Sequence, residues 1–299
     1  MTAPPLNLEV TRARRLFKEL AGQNNHFLIT ILVGLDAVNR GAVRVPPELS
    51  TSWNPHDPQR SVRRSREFAI SALLAWLVDA LQAYVHALIT VPIVVSDSAL
   101  RNKLESGSLG ERVIALANAT GQYTAERYLV ELAIIWRNRV VHFEARNRVG
   151  SHLASCLQKC SQDIEGLYQG LVINQTLDSV GRSRKPTFKE ITALVRAVHK
   201  FVEAVDQAVL TTVDLNAYLA DALGIYLSED PVMRSAKVWG KEFERRVSAI
   251  VQIAQNYGMT VARINRSNTL TPAKIDSLAK LSPRQARQKF ANASVKILI

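Results

Sequence analysis

Between Arg60 and Val95 the polar residues Arg60, Arg64, Glu67, Ser71, Asp79, Gln82, His86 and Thr90 recur at a helical spacing. Their gaps are 4, 3, 4, 8, 3, 4 and 4, with Ala75 midway in the gap of 8. That spacing draws one narrow polar stripe on a helix and, from Phe68 onward, leaves the rest of its circumference apolar. A membrane-spanning helix would fit the hydropathy, but it would place Asp79 near mid-bilayer at a cost of roughly 3 kcal/mol. A long helix buried on most sides in a bundle explains the same pattern without that cost, and Pro92 ends or kinks it.

Other segments follow the helical period. Val10 to Asn39 carries Leu16, Leu20, Phe27, Ile31 and Leu35, and Gly41 supplies a stop. The prolines at 46, 47, 55 and 58 make Ala42 to Gln59 a loop. A short helix is expected over Leu109 to Ala119, and one capped by Thr124 running to about Ala145. Ser151 to Gly170 forms another, and Gly181 to Pro186 is a basic linker. Thr187 to Val213 is strongly amphipathic, with Ile191, Leu194, Val195, Val198, Val202, Val205 and Val209 on one side. Trp239 to Gly258 also reads as helix. Thr271-Pro272 and Ser282-Pro283 each pair a capping residue with Pro at the first helical position, which predicts two short closing helices. No run alternates polar and apolar residues long enough to demand a sheet, and no internal repeat is visible. The expectation is an all-α fold. A helical bundle over residues 1–213 is followed by a basic, mainly helical extension over 214–299.

Composition sharpens this picture in two ways. The chain has 299 residues, 47% hydrophobic, enough for a real core, and two cysteines, too few for a disulfide framework. With no basic start and apolar run at the N-terminus, the sequence reads as that of a cytoplasmic protein without membrane anchorage. The net charge is +12, which favours polyanionic partners such as nucleic acid. Twelve Lys or Arg against three acids from Ser235 onward place +9 of it there. Arg245, Arg246, Arg263, Arg266, Arg284, Arg287 and Lys289 are the candidate phosphate contacts of that region. A helix-turn-helix is an alternative use of the last two helices, and a merely solvated basic surface a third.

Phosphate-loop, dinucleotide-fold, zincin and nucleophile-elbow motifs are absent, which removes the corresponding enzyme classes. His152, Cys156 and Cys160 fall at i, i+4 and i+8, but plain packing accounts for them better than zinc, whose structural sites space cysteines differently. No cofactor and no metal site are expected.

Trp136-Arg137-Asn138-Arg139-Val140-Val141-His142-Phe143 remains. Two Arg, an Asn and a His interrupt a helix otherwise built from Tyr128, Leu129, Leu132, Ile135 and Trp136. Asn138 and His142 share a helical face, while Arg137 and His142 stand roughly 140° apart around an ideal axis. Metal-free RNA cleavage needs a group to take the 2′-hydroxyl proton and a charge to stabilise the phosphorane. His and Arg supply these two.

The stretch resembles the Arg-x4-6-His motif of HEPN domains in its Arg-Asn-x-x-x-His form. The resemblance extends to a long apolar early helix, a motif on a later helix and an amphipathic closing helix. It covers about Arg12 to Thr212. It implies a metal-independent endoribonuclease that leaves a 2′,3′-cyclic phosphate, of the kind used as microbial toxins or anti-phage effectors. Such a protein would act as a homodimer with a composite site, with an antitoxin or defence-complex partner. By position, Arg137 would bind phosphate, His142 would act as acid or base, and Asn138 would orient the His or the RNA. Asp79, read as a buried carboxylate, and then Glu67 would support the Arg, and Arg139 would add a contact to nucleic acid. Other HEPN proteins bind nucleotides or scaffold complexes without cleaving. A non-catalytic binding protein is therefore the competing expectation.

Overall fold

The computed structural model describes residues 3–43, 48, 57–142, 148–168, 170–262 and 268–290. In chain order its first elements are strand β1 (Leu6–Leu8) and helices α1 (Arg12–Gly22), α2 (Asn24–Asn39), α3 (Pro58–Ile89), α4 (Ser98–Ser106) and α5 (Leu109–Thr120). There follow α6 (Ala125–Val141), α7 (Ser151–Lys159), α8 (Ser161–Leu167), α9 (Ile173–Gly181) and α10 (Phe188–Thr212). Then come α11 (Leu215–Ser228), α12 (Pro231–Trp239), α13 (Phe243–Asn256), strand β2 (Met259–Val261), α14 (Pro272–Ala279) and α15 (Pro283–Phe290). Among the described residues the fold is all-α apart from one small sheet, as the periodicities predict.

The chain packs as two compact units, each assembled from separated stretches: Met1–Leu16, Ala83–Thr120 and Glu203–Ile299 form one, Phe17–Gln82 and Gly121–Val202 the other. The residue 213/214 boundary expected from sequence falls inside the first. That unit holds the sheet, in which Leu6, Asn7 and Leu8 pair antiparallel with Val261, Thr260 and Met259. Strands of three residues are too short to leave an alternating pattern. Its helices α4, α11 and α12 begin on side-chain caps. Asp97 accepts from Leu100 N–H, Asp214 from Asn216 and Ala217, and Asp230 from Met233 ahead of a proline in the first turn. Trp239 is fully buried and donates its indole N–H to Leu278 O at 2.9 Å. The C-terminal region thus has its own share of a core, and α14 and α15 start at Pro272 and Pro283 as the Thr-Pro and Ser-Pro pairs require.

The second unit carries the motif. Leu73, Leu74, Leu77, Val78 and Leu81 of α3, Leu129, Leu132, Ala133 and Trp136 of α6, and Ile191, Leu194, Val198 and Val202 of α10 are all buried. Thr187 and Glu190 exchange hydrogen bonds at the start of α10, a capping box. Several expected boundaries shift. The helix expected over Val10 to Asn39 breaks at Gln23 into α1 and α2, and that expected over Ser151 to Gly170 breaks at Cys160 into α7 and α8. Between Gly170 and Pro186 the chain also forms α9.

α3 differs from expectation along its length. Its polar stripe is exposed at Asp79, Gln82, His86 and Thr90, and the opposite side of this half is buried. Its first turns are largely exposed, and so are Phe68 and Trp76. By length and composition α3 could cross a membrane, and 56% of its most apolar stretch is buried inside the protein.

Candidate active site

The last turn of α6 places the motif. Leu129, Leu132, Ala133 and Trp136 pull one side of the helix into the core, so Arg137 and Asn138 come to its edge, partly exposed. The helix ends at Val141, four residues before the expected Ala145. His142 is the capping residue, with extended backbone (φ −107°, ψ 108°), and its N–H closes the final turn on Asn138 O at 3.0 Å. An imidazole held in the helix would point roughly 140° away from Arg137. Leaving the helix turns it back: Arg137 Nη1 lies 3.3 Å from His142 Nε2.

Arg137 is the hub of the cluster. Its Nη2 donates to Asp79 Oδ1 at 2.7 Å, and its Nη1 donates to Asn138 Oδ1 at 3.2 Å. Asp79 comes from the exposed stripe of α3, 59% exposed, which corrects the expectation of a buried carboxylate. The Arg137 side chain is 21% exposed, and its buried Nε has no hydrogen-bond partner among the described residues. A guanidinium nitrogen can only donate, so a hydrogen bond here uses the ring nitrogen's lone pair, in the tautomer that carries its proton on Nδ1. His142 is exposed. A cation therefore stands beside an imidazole nitrogen at an exposed helix end.

Comparisons with protein-family models, with curated proteins and with solved structures gave no match to this chain.

The remaining expected residues divide sharply. Glu67 precedes Asp79 by twelve positions, about 18 Å along a helix. Its Oε2 meets Lys185 Nζ at 3.4 Å, so it does not support Arg137. Asn138 engages the Arg through its side chain and the His only through its backbone. Arg139 points the other way, donating to Gly181 O at 3.0 Å and to Ser183 Oγ at 2.6 Å. Together with Trp136, whose indole N–H donates to Arg184 O at 2.8 Å, it pins the turn after α9. Ser183 sits there at a φ of 54°, a left-handed conformation that costs a non-glycine residue energy and needs such support.

The segment read as a basic linker is thus a fixed loop that presents Arg182, Arg184 and Lys185 at the surface, in ion pairs with Asp178 and Glu67. A buried Trp requires a partner for its N–H, which is the one sequence signal that could have located it.

In the other unit, Arg246 donates to the carbonyls of Lys241, Ala279 and Leu281, and Arg287 to Ser235 Oγ at 2.8 Å. These two hold α13, α14, α15 and α12 in place rather than face a ligand. Arg245, Arg284 and Lys289 are exposed, and Arg263 and Arg266 lie outside the described residues. Cys156 Sγ is 3.8 Å from His152 Nε2, but α7 stops at Lys159 and burial pushes the Cys160 thiol upward. Among the described residues no group of three or more His, Cys, Asp or Glu is placed to hold a metal.

Proposed function

We propose that this protein is a metal-independent endoribonuclease of the HEPN type, working on cytoplasmic RNA as a toxin or anti-phage defence effector. The observation that carries the proposal is the Arg137 guanidinium bridging Asp79 at 2.7 Å and His142 at 3.3 Å on an exposed helix end. Asp79 and Asn138 fix the plane of the guanidinium; once His142 Nε2 turns from Nη1 to the 2′-hydroxyl, one N–H each of Nη1 and Nη2 is open to a phosphate oxygen, while Nε stays buried. The Nε2 lone pair of His142 takes the 2′-hydroxyl proton. The 2′-oxygen then bonds to phosphorus, the bond from phosphorus to the 5′-oxygen breaks, and that oxygen collects a proton from an acid.

One chain supplies a single imidazole. A homodimer in which two His142 rings flank one basic groove supplies the base from one copy and the acid from the other. The products are a 2′,3′-cyclic phosphate and a 5′-hydroxyl. The test is to incubate the purified protein with single-stranded RNA in EDTA and determine the termini. Cyclic phosphate and 5′-hydroxyl ends are expected. A requirement for added metal, or 3′-hydroxyl and 5′-phosphate ends, would exclude the mechanism. RNA binding without cleavage would favour the non-catalytic alternative, a binding or scaffold protein partnered with an antitoxin or defence complex.

A further inference from the structure

Between Gln23 and Leu35 the chain carries no Asp, Glu, Lys or Arg. That stretch lies almost wholly in α2, yet α2 is buried only at Asn24 and Leu28. Toward α3 it turns Leu28, Leu32 and Leu35, which line cavities of about 390 and 440 Å³ between the two helices. Phe27 and Ile31 stand on one flank of that side, and Ile29 and Val33 on the other, roughly 160° around the helix. These four are 59%, 47%, 52% and 63% exposed. On α3, Phe68 and Trp76 continue the Phe27 flank, and both are more than half exposed. The one polar atom of the Trp76 ring is satisfied, its N–H donating to Leu20 O at 2.8 Å. A helix apolar on both flanks as well as on its packed side is ordinarily covered by protein or by lipid.

Charge gathers where α2 stops and α3 begins. Arg60, Arg63, Arg64 and Arg66 are all exposed there, and among the described residues none of them forms an ion pair. The neighbouring acids are engaged. Asp36 pairs with Arg40 at 2.8 Å, Asp57 accepts the backbone N–H of Arg60 at 2.9 Å, and Glu67 meets Lys185.

We infer that α2 and the first half of α3 form a docking surface for an anionic lipid bilayer. The apolar side chains enter the boundary between headgroups and acyl chains, and the four arginines meet the lipid phosphates. Fluid acyl chains can cover both flanks of α2 at once, whereas a rigid protein surface covers one. An RNA backbone offers Ile29 and Val33 nothing apolar. α2 has 16 residues, about 24 Å, short of the roughly 30 Å hydrocarbon core, so it lies along the surface and docking is peripheral. That placement needs no charge at mid-bilayer, the cost that Asp79 sets against a spanning α3. The inference does not depend on the ribonuclease reading.

Cosedimentation of the full chain with vesicles tests it. Wild type is expected to bind mixed phosphatidylserine and phosphatidylcholine vesicles at least about tenfold more tightly than phosphatidylcholine alone, since each Arg near an anionic surface contributes about fivefold. Ile29→Asn combined with Val33→Asn changes no charge, and it should weaken binding to the mixed vesicles at least about tenfold by removing apolar contact. Phe68→Ser, on the other helix, should weaken it as well. Arg63→Gln combined with Arg64→Gln should cost about tenfold or more. Unchanged helical circular dichroism spectra separate lost docking from lost fold. A wild type that ignores the mixed vesicles would overturn the inference. So would equal binding by the Ile29→Asn and Val33→Asn protein, which would mean that cations alone hold the lipid. If wild type ignored vesicles and formed a dimer that the Asn substitutions dissociated, the surface would belong to a second copy. If it ignored vesicles and its affinity for single-stranded RNA fell with Arg63→Gln and Arg64→Gln, the arginines would belong to RNA.

Discussion

Arg137 reaches His142 because His142 is the first residue outside α6. The identities of the cluster, Arg, Asn, His and a carboxylate on the early helix, are legible in the sequence. Its geometry is not, because nothing after His142 spells a stop, and the helical pattern runs on to Ala145. Asp79 as the partner of Arg137 follows from the resemblance together with its place on the polar stripe; its exposure does not. Since the Asp79–Arg137 pair is open to solvent, its contribution to stability is small, under about 1 kcal/mol, while the proposed chemistry depends on its hold on the guanidinium. Asp79→Asn should therefore lower RNA cleavage roughly 10- to 100-fold through misplacement of Arg137. The melting temperature should stay close to that of wild type. A large fall in melting temperature, or unchanged cleavage, would assign Asp79 a different role. Both quantities come from one preparation, by scanning calorimetry and a gel-based cleavage assay.

Elements with long, unbroken periods were read nearly to the residue: α10 is observed over Phe188–Thr212 against an expected Thr187–Val213. Shorter ones depend on tertiary support. α9 lacks the length to establish a period, and β1 and β2 pair with each other across the fold, with Leu6 and Leu270 exchanging backbone hydrogen bonds alongside them. A cluster across three helices gives the second unit a pH dependence. Burial pushes the Glu126 carboxyl up, but hydrogen bonds from Tyr168, Thr124 and its own backbone, with Lys200 nearby, outweigh it and hold it below the ordinary 4.5. The ionised form is therefore favoured in the folded state. Its stabilisation is present above pH 4.5 and is lost as the pH falls through the lower folded value. Urea midpoints for wild type should drop between about pH 5 and pH 3, and Glu126→Gln should flatten that drop. Equal pH profiles for the two proteins would remove Glu126 from the account.

At the scale of the whole molecule, the charge asymmetry was legible and the domain organisation was not. Sequence order suggests an appended tail. Instead, Glu203–Ile299 shares a compact unit with Met1–Leu16 and Ala83–Thr120, a discontinuity that no linear pattern records. Deleting Ser235–Ile299 would remove buried Trp239, Ile250, Leu278 and Phe290 and so destroy a core rather than test a charge. Substitution is the sound experiment. Replacing exposed Arg245, Arg284 and Lys289 with Ala should leave the fold intact and weaken binding to single-stranded RNA. The salt dependence should flatten by up to about 2 units in the slope of log K against log salt. Fluorescence anisotropy over a salt series measures it, and an unchanged slope would mean that these cations only solvate the surface.

The central claim is that His142 moves the proton in a metal-free cleavage held together by Arg137. Its most direct test compares RNA degradation in EDTA by wild type and by His142→Ala, with circular dichroism on both. Removing an exposed side chain at a helix cap leaves the core untouched, so equal spectra are expected. Wild type should cleave, and His142→Ala should lose at least about 100-fold, the scale set by loss of a positioned proton-transfer group. Equal cleavage by the two folded proteins would contradict the account.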